Sequence, residues 1–328
     1  MRKFSLIFAS CALVTLLAAS PAQANVLKTL NLGEVNELED TDYESHIFDA
    51  GDDSEIKDGD ILLAILEVDK NNTITGLDLL LNSSTSSSLF FDYSESTSNF
   101  TGVSLVKVDG DPTITGGGEN ANYRFKAPTP AEWLTHTGLA AVDTNVMIVT
   151  FNDPPGSPHI DENAASVAAA VATATNGTRL WEFGLDGTTD TFWTAETEDD
   201  FLPDPDGGGP IPAGANPTRI DSITDLDFLA SLNVIDDNGL IAGGLELDKH
   251  GAMRDPDMSG FDASSFTADT QLQLQGGLQS GSSGVFDIKT DTNFYLKPTP
   301  EPASVLVWAG LAGVGFGLRR RRMKKTSA

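Results

Sequence analysis

The chain predicts an all-β fold, a β-sandwich or jelly roll carrying two short connector helices. Three observations predict it. Short stretches of Ile, Leu, Val and aromatic residues recur, several with a two-residue period. Gly-, Asp- and Ser-rich turns separate them, and only two segments carry helix signals. An architecture of many short strands buries such faces by packing sheet on sheet.

Taken in order, Asp60–Val68 and Thr73–Leu81 are apolar runs separated by Asp69-Lys70-Asn71-Asn72, which predicts a hairpin. Thr129-Pro130-Ala131-Glu132 joins a capping box to a proline at the first helical position, so a short helix runs through about Thr137. Asn145–Phe151 reads as a buried strand ending before Pro154-Pro155. A second helix is expected from Asp161, as its cap, to Ala174, with Asn176-Gly177 stopping it. Trp181, Phe183 and Leu185 alternate with Glu182 and Gly184, which predicts a strand burying one face. Leu272 and Leu274 alternate with Gln271, Gln273 and Gln275 in the same way. Phe286 and Ile288 open a last strand, expected over Val285–Leu296. The Pro- and Gly-rich segment Pro203–Pro217 is either a surface loop or a subdivision of the domain near 203–217.

The two ends carry signals of another kind. Arg2 and Lys3 precede an apolar stretch, Phe4–Leu17, and Ala22-Gln23-Ala24 fits the small-x-small cleavage rule. Residues 1–24 therefore read as a cleaved signal peptide, with signal peptidase as a partner and Ala22 and Ala24 marking the cut. Cys11 is the only cysteine and lies within that stretch, so residues 25–298 contain neither disulfides nor cysteine-based zinc sites. The other end runs Pro300-Glu301-Pro302, then an apolar span at 303–318, then Arg319, Arg320, Arg321 and Arg322. As a helix that span covers about 24 Å, short of a hydrocarbon core of about 30 Å. It suits a transient transmembrane hold better than a permanent anchor. The arginines form a cytoplasmic basic stop that fixes the N-terminus outside.

The ordered set over 299–325, together with the signal peptide, resembles the PEP-CTERM sorting signal. That resemblance implies recognition by an exosortase, a membrane-embedded transpeptidase, and removal of the tail near Pro300, Glu301 and Pro302. It also implies export through the inner membrane of a Gram-negative-type bacterium that secretes exopolysaccharide. The chain is then a substrate and not an enzyme.

Charge bounds the partners. All 48 acidic residues lie between Asn25 and Pro302, against 12 of the 20 basic ones, so trimming both ends takes the net charge from −28 to −36 (−35 if Glu301 leaves with the tail). Such a surface repels nucleic acid and attracts divalent cations diffusely. Asp49, Asp52, Asp53, Glu55, Asp58 and Asp60 are the densest acidic cluster, with solvation the expected role.

No cofactor is expected apart from calcium. Asp255, Asp257 and Ser259 take the first, third and fifth places of a calcium-type loop, with Gly260 sixth and Asp262 eighth. Position twelve is Phe266 instead of a bidentate Glu, so the match is partial. His46, His136, His159 and His250 have no partners at metal-ligand spacing, and no HExxH, GxSxG or phosphate loop occurs. The sequence thus favours a non-catalytic surface or matrix protein associated with exopolysaccharide. The alternatives are a carbohydrate- or calcium-binding module and, second, a polysaccharide-active enzyme.

Overall fold

The computed structural model describes residues 35–51, 54–67, 70–74, 89–90, 100–115, 120–152, 164–197, 218, 226–238, 245–251 and 269–300. Within them the chain is mostly β, an antiparallel sheet with two short helices. The order is β1 (Val35–Phe48), β2 (Ile61–Glu67), β3 (Lys70–Ile74), β4 (Leu89–Phe90), β5 (Phe100–Val108), β6 (Thr113–Thr115) and β7 (Asn120–Lys126). Next come α1 (Pro130–Thr137), β8 (Val146–Asn152), α2 (Val167–Ala174), β9 (Thr178–Gly184), β10 (Phe192–Thr197) and β11 (Leu226–Asp236). The chain continues through β12 (Leu245–Asp248), β13 (His250–Gly251), β14 (Asp269–Thr270), β15 (Leu272–Ser283) and β16 (Phe286–Pro300). Fourteen strands form one sheet, and β13 and β14 pair separately.

The main ladder returns on itself because three strands change neighbours midway. One edge of β1 follows β16, while the other takes β3 at Val35–Glu39 and β2 at Ser45–Phe48. Lys70, Asn71 and Asn72, expected as the turn of a hairpin, run instead in β3, and 75–81 of the expected second strand lie outside the described residues. β2 and β3 both run antiparallel to β1, and β2 continues onto β5. β5 pairs with β8 at one end and β7 at the other, and β11 likewise pairs with β9 and then β10. Two arms, β8–β9 and β7–β10, thus bridge β5 to β11. The circuit closes through β15, β16, β1 and β2. β10 and β11 flank Pro203–Pro217 and pair directly, Phe192 opposite Ser231.

Two apolar clusters lie on opposite faces of β2, β5 and β8. Leu62, Leu66, Val106 and Ile148 face the interior with Phe125, Trp193, Phe228 and Leu274. Ile61, Leu63, Ile65, Val103, Leu105 and Val149 face outward, beneath the helices. An unbroken apolar run such as Ile61–Leu66 is what a strand covered on both faces requires.

Both helices are lids on that outer face. Thr129 and Glu132 cap α1 reciprocally, as the sequence predicts, and Gly138 ends it in the left-handed conformation. Trp133 is fully buried and donates its indole N–H to the Val146 carbonyl at 3.1 Å. α2 begins later than expected. Ser166 caps it by accepting the Ala169 N–H at 3.2 Å, and Asp161 lies outside the described residues. Val171, Ala170 and Ala174 are its buried face.

Candidate functional site: the exit strand at Pro300

β16 delivers the chain to Pro300, where the Pro300-Glu301-Pro302 stretch begins. From Phe286 to Leu296 it is flanked on both edges, by β15 throughout and by β1 over most of that length. The strand then runs four residues beyond the expected end at Leu296, because β12 takes over as its partner. Leu245 lies opposite Pro300, Glu246 opposite Thr299, Leu247 opposite Pro298 and Asp248 opposite Lys297.

Prolines can enter such a ladder only with their nitrogens facing the unbonded edge. Pro298 and Pro300 share one parity, so Lys297 and Thr299 are left to donate toward β12. Leu247 is buried in the interior cluster, Pro298 is buried opposite it, and the Lys297 ammonium lies 3.9 Å from Asp248.

Gln271, the residue before β15, anchors β12, and side chains of β15 tie down β13 and β16 beside it. Gln271 donates to the Leu247 carbonyl at 2.7 Å and accepts the Val234 N–H at 2.9 Å. Gln273 donates to the His250 carbonyl at 3.3 Å, and Gln275 to the Tyr295 hydroxyl at 3.0 Å. The buried His250 ring lies 3.0 Å from the Tyr295 carbonyl. The Leu–Gln alternation therefore does not mark a wet face. Gln273 and Gln275 are as buried as the leucines, with their amides spent on backbone and hydroxyl groups.

Pro300 is the last described residue of this exit. Glu301, Pro302, Arg319, Arg320, Arg321 and Arg322 lie outside the described residues, as do Ala22 and Ala24 and the calcium-type residues Asp255, Asp257, Ser259 and Asp262. Among the described residues no helix is long and apolar enough to cross a membrane, and no three His, Asp or Glu side chains are grouped to hold a metal.

Among the described residues of the acidic cluster at 49–60, Asp49, Asp58 and Asp60 also brace loops, a role beyond the expected solvation. Asp60 is buried and accepts the Ala50 and Lys57 N–H groups at 2.9 and 2.7 Å. Asp49 accepts from Gly51 and Ser54. Asp58 is held below the usual carboxylate range by the Gly110 N–H and then by Lys126, whose ammonium also meets Asp109 at 2.9 Å. Asp52 and Asp53 lie outside the described residues. Carboxylate oxygens occupied by backbone donors are poor cation ligands.

Glu182 departs from the expected alternation too. It is 1% exposed, since Arg179 covers it at 3.1 Å and Asp143 and Asn238 donate to it. Burial pushes its carboxyl up, opposed chiefly by Arg179. A carboxylate so enclosed cannot meet a polymer. Trp133, Trp181 and Trp193 are buried as well, so none offers a sugar-stacking platform. The interior holds a cavity of about 40 Å³ edged by Trp193, Phe228, Leu274 and Thr292, room for no more than a few water molecules.

Compared with protein-family models, with curated proteins and with solved structures, the chain finds no match.

Proposed function

We propose that the chain is an exported, non-catalytic surface or matrix protein. Signal peptidase trims it at Ala22–Ala24, an exosortase trims it near Pro300–Pro302, and it ends associated with exopolysaccharide. The observation that carries this reading is the ordered tail: Pro300-Glu301-Pro302, a short apolar span, then Arg319–Arg322. Its partner set follows, with the membrane as a transient hold during export and no nucleic acid. The paired strand running to Pro300 supports it, because β12 and β16 bring an ordered part of the chain up to the first residue of the motif. A sandwich- or jelly-roll-like form of the domain belongs to the same proposal. It is supported by the forked, closed ladder around one interior cluster.

Intact-mass measurement on protein from its native host tests the reading. A mature species lacking residues 1–24 and the tail is expected; one still carrying Arg319–Arg322 refutes exosortase processing. The second reading, a calcium- or carbohydrate-binding module, rests on the spacing of Asp255, Asp257 and Ser259. Calorimetric titration of the processed protein with calcium and with extracted polysaccharide separates the two, and heat absent from both removes the module.

A further inference from the structure

We infer that β12 is a clasp that competes with the processing enzyme for one edge of the exit strand. The inference rests on the processing proposed above and adds a step of regulation to it. Pro298, Pro300 and Pro302 alternate with Thr299 and Glu301. Bound in extended form by any enzyme, this stretch offers backbone N–H donors along the Thr299–Glu301 edge alone, because the proline edge has none. In the folded protein the Thr299 edge is already taken, with Glu246 of β12 opposite it.

The clasp is built to hold and to open. It is held by the buried Leu247, by the bond from Gln271 to the Leu247 carbonyl and by the pairing of Lys297 with Asp248. It is only four residues long, and Glu246 and Asp248 are exposed. Beyond Leu296, β12 is the one partner of β16 among the described residues. Release of β12 therefore frees the strand from 297 onward and leaves the β1–β16–β15 core intact. An enzyme needing several extended residues upstream of its cut gains access only to the released form. Processing speed then follows the released fraction, and an unfinished domain, with β12 not yet docked, is cut ahead of a finished one.

The test uses the full-length chain in its native host, with tail removal followed by pulse–chase. Leu247→Cys combined with Pro298→Cys joins a pair that the proline parity makes non-hydrogen-bonded, where Cβ atoms approach closely enough for a disulfide. With its tail uncut, the oxidised double variant is expected to be processed at least about tenfold more slowly than the same protein after reduction. Glu246→Pro, at an exposed position, removes a β12 donor and is expected to speed tail removal two- to fivefold, approximately. The inference is overturned, with the processing reading intact, if wild type is cut and the oxidised and reduced forms of the double variant are cut at equal rates. A wild-type chain that keeps Arg319–Arg322 overturns both.

Discussion

Gly184 sits where three strands meet, opposite Val146 on β8 and Asn233 on β11. A Cβ there would stand 1.8 Å from the Asn145 carbonyl oxygen, a backbone atom that also accepts the Leu185 N–H. Gly184→Ala is therefore expected to cost about 3 kcal/mol or more, read as a drop in the denaturation midpoint at unchanged slope. Glu132 supplies a pH-dependent counterpart. Partial burial pushes its carboxyl up, but the Lys107 ammonium at 2.6 Å and the Thr129 N–H and hydroxyl outweigh that and hold it at about 2. A carboxyl depressed in the fold adds stability above its ordinary pKa near 4.5, and loses it as pH falls through about 2. Glu132→Gln should thus lower the melting temperature by a few degrees at pH 7, for a loss of about 1 kcal/mol. Near pH 2 the two proteins should melt together. A gap that persists undiminished at pH 2 would mean that packing, not charge, is what the variant loses.

At the scale of elements, strands covered on both faces explain most of the fit and misfit between sequence and fold. α1 was legible to the residue, because its capping box and Pro130 are local signals that tertiary context does not alter. The apolar runs in β2 and β8 were legible as strands for a similar reason, and that in β8 as a buried one. What a period of two cannot say is who covers the second face. Gln273, Gln275 and Glu182 read as outward positions, and each is buried by partners remote in sequence: His250, Tyr295 and Asn238. Strand neighbours were equally illegible, since Lys70, Asn71 and Asn72, which read as a turn, run in β3 beside β1, on the edge that β2 also takes. Leu66-Glu67 and Leu245-Glu246 look alike, yet one ends β2 beside β5 and the other opens β12 beside β16. At Pro300 the pairing of β12 with β16 had no trace in the sequence beyond the Leu–Gln period. The outer face offers a check on these assignments. Trp133→Ala removes the largest buried side chain of the lid and its bond to Val146, and should cost roughly 3–5 kcal/mol by chemical denaturation. A loss below about 1 kcal/mol would show that α1 does not seal β2, β5 and β8.

For the molecule as a whole, charge sets a condition that the closed ladder must withstand. Trimmed as proposed, the chain would carry 12 basic against 48 acidic residues, so its basic side chains are too few to pair its carboxylates one for one. Most of that charge repels itself across the surface, which favours expansion and keeps copies apart. Counter-ions relieve the strain by screening over a Debye length of about 10 Å at 0.1 M salt. The melting temperature should therefore rise between roughly 10 and 150 mM sodium chloride, by several degrees, given 2–4 °C per kcal/mol for a body of this size. Magnesium and calcium at equal millimolar concentrations should raise it further and alike, because a diffuse cloud responds to valence and not to ion identity. A built site behaves otherwise, stabilising in proportion to the logarithm of ligand over dissociation constant and choosing calcium over magnesium by ligand number and cavity size. Thermal melts of the processed protein in matched calcium and magnesium series therefore decide between a diffuse acidic surface and a loop at Asp255–Asp262. Calcium that acts at micromolar levels where magnesium does not would assign the loop a specific role, and with it the binding-module reading of the domain.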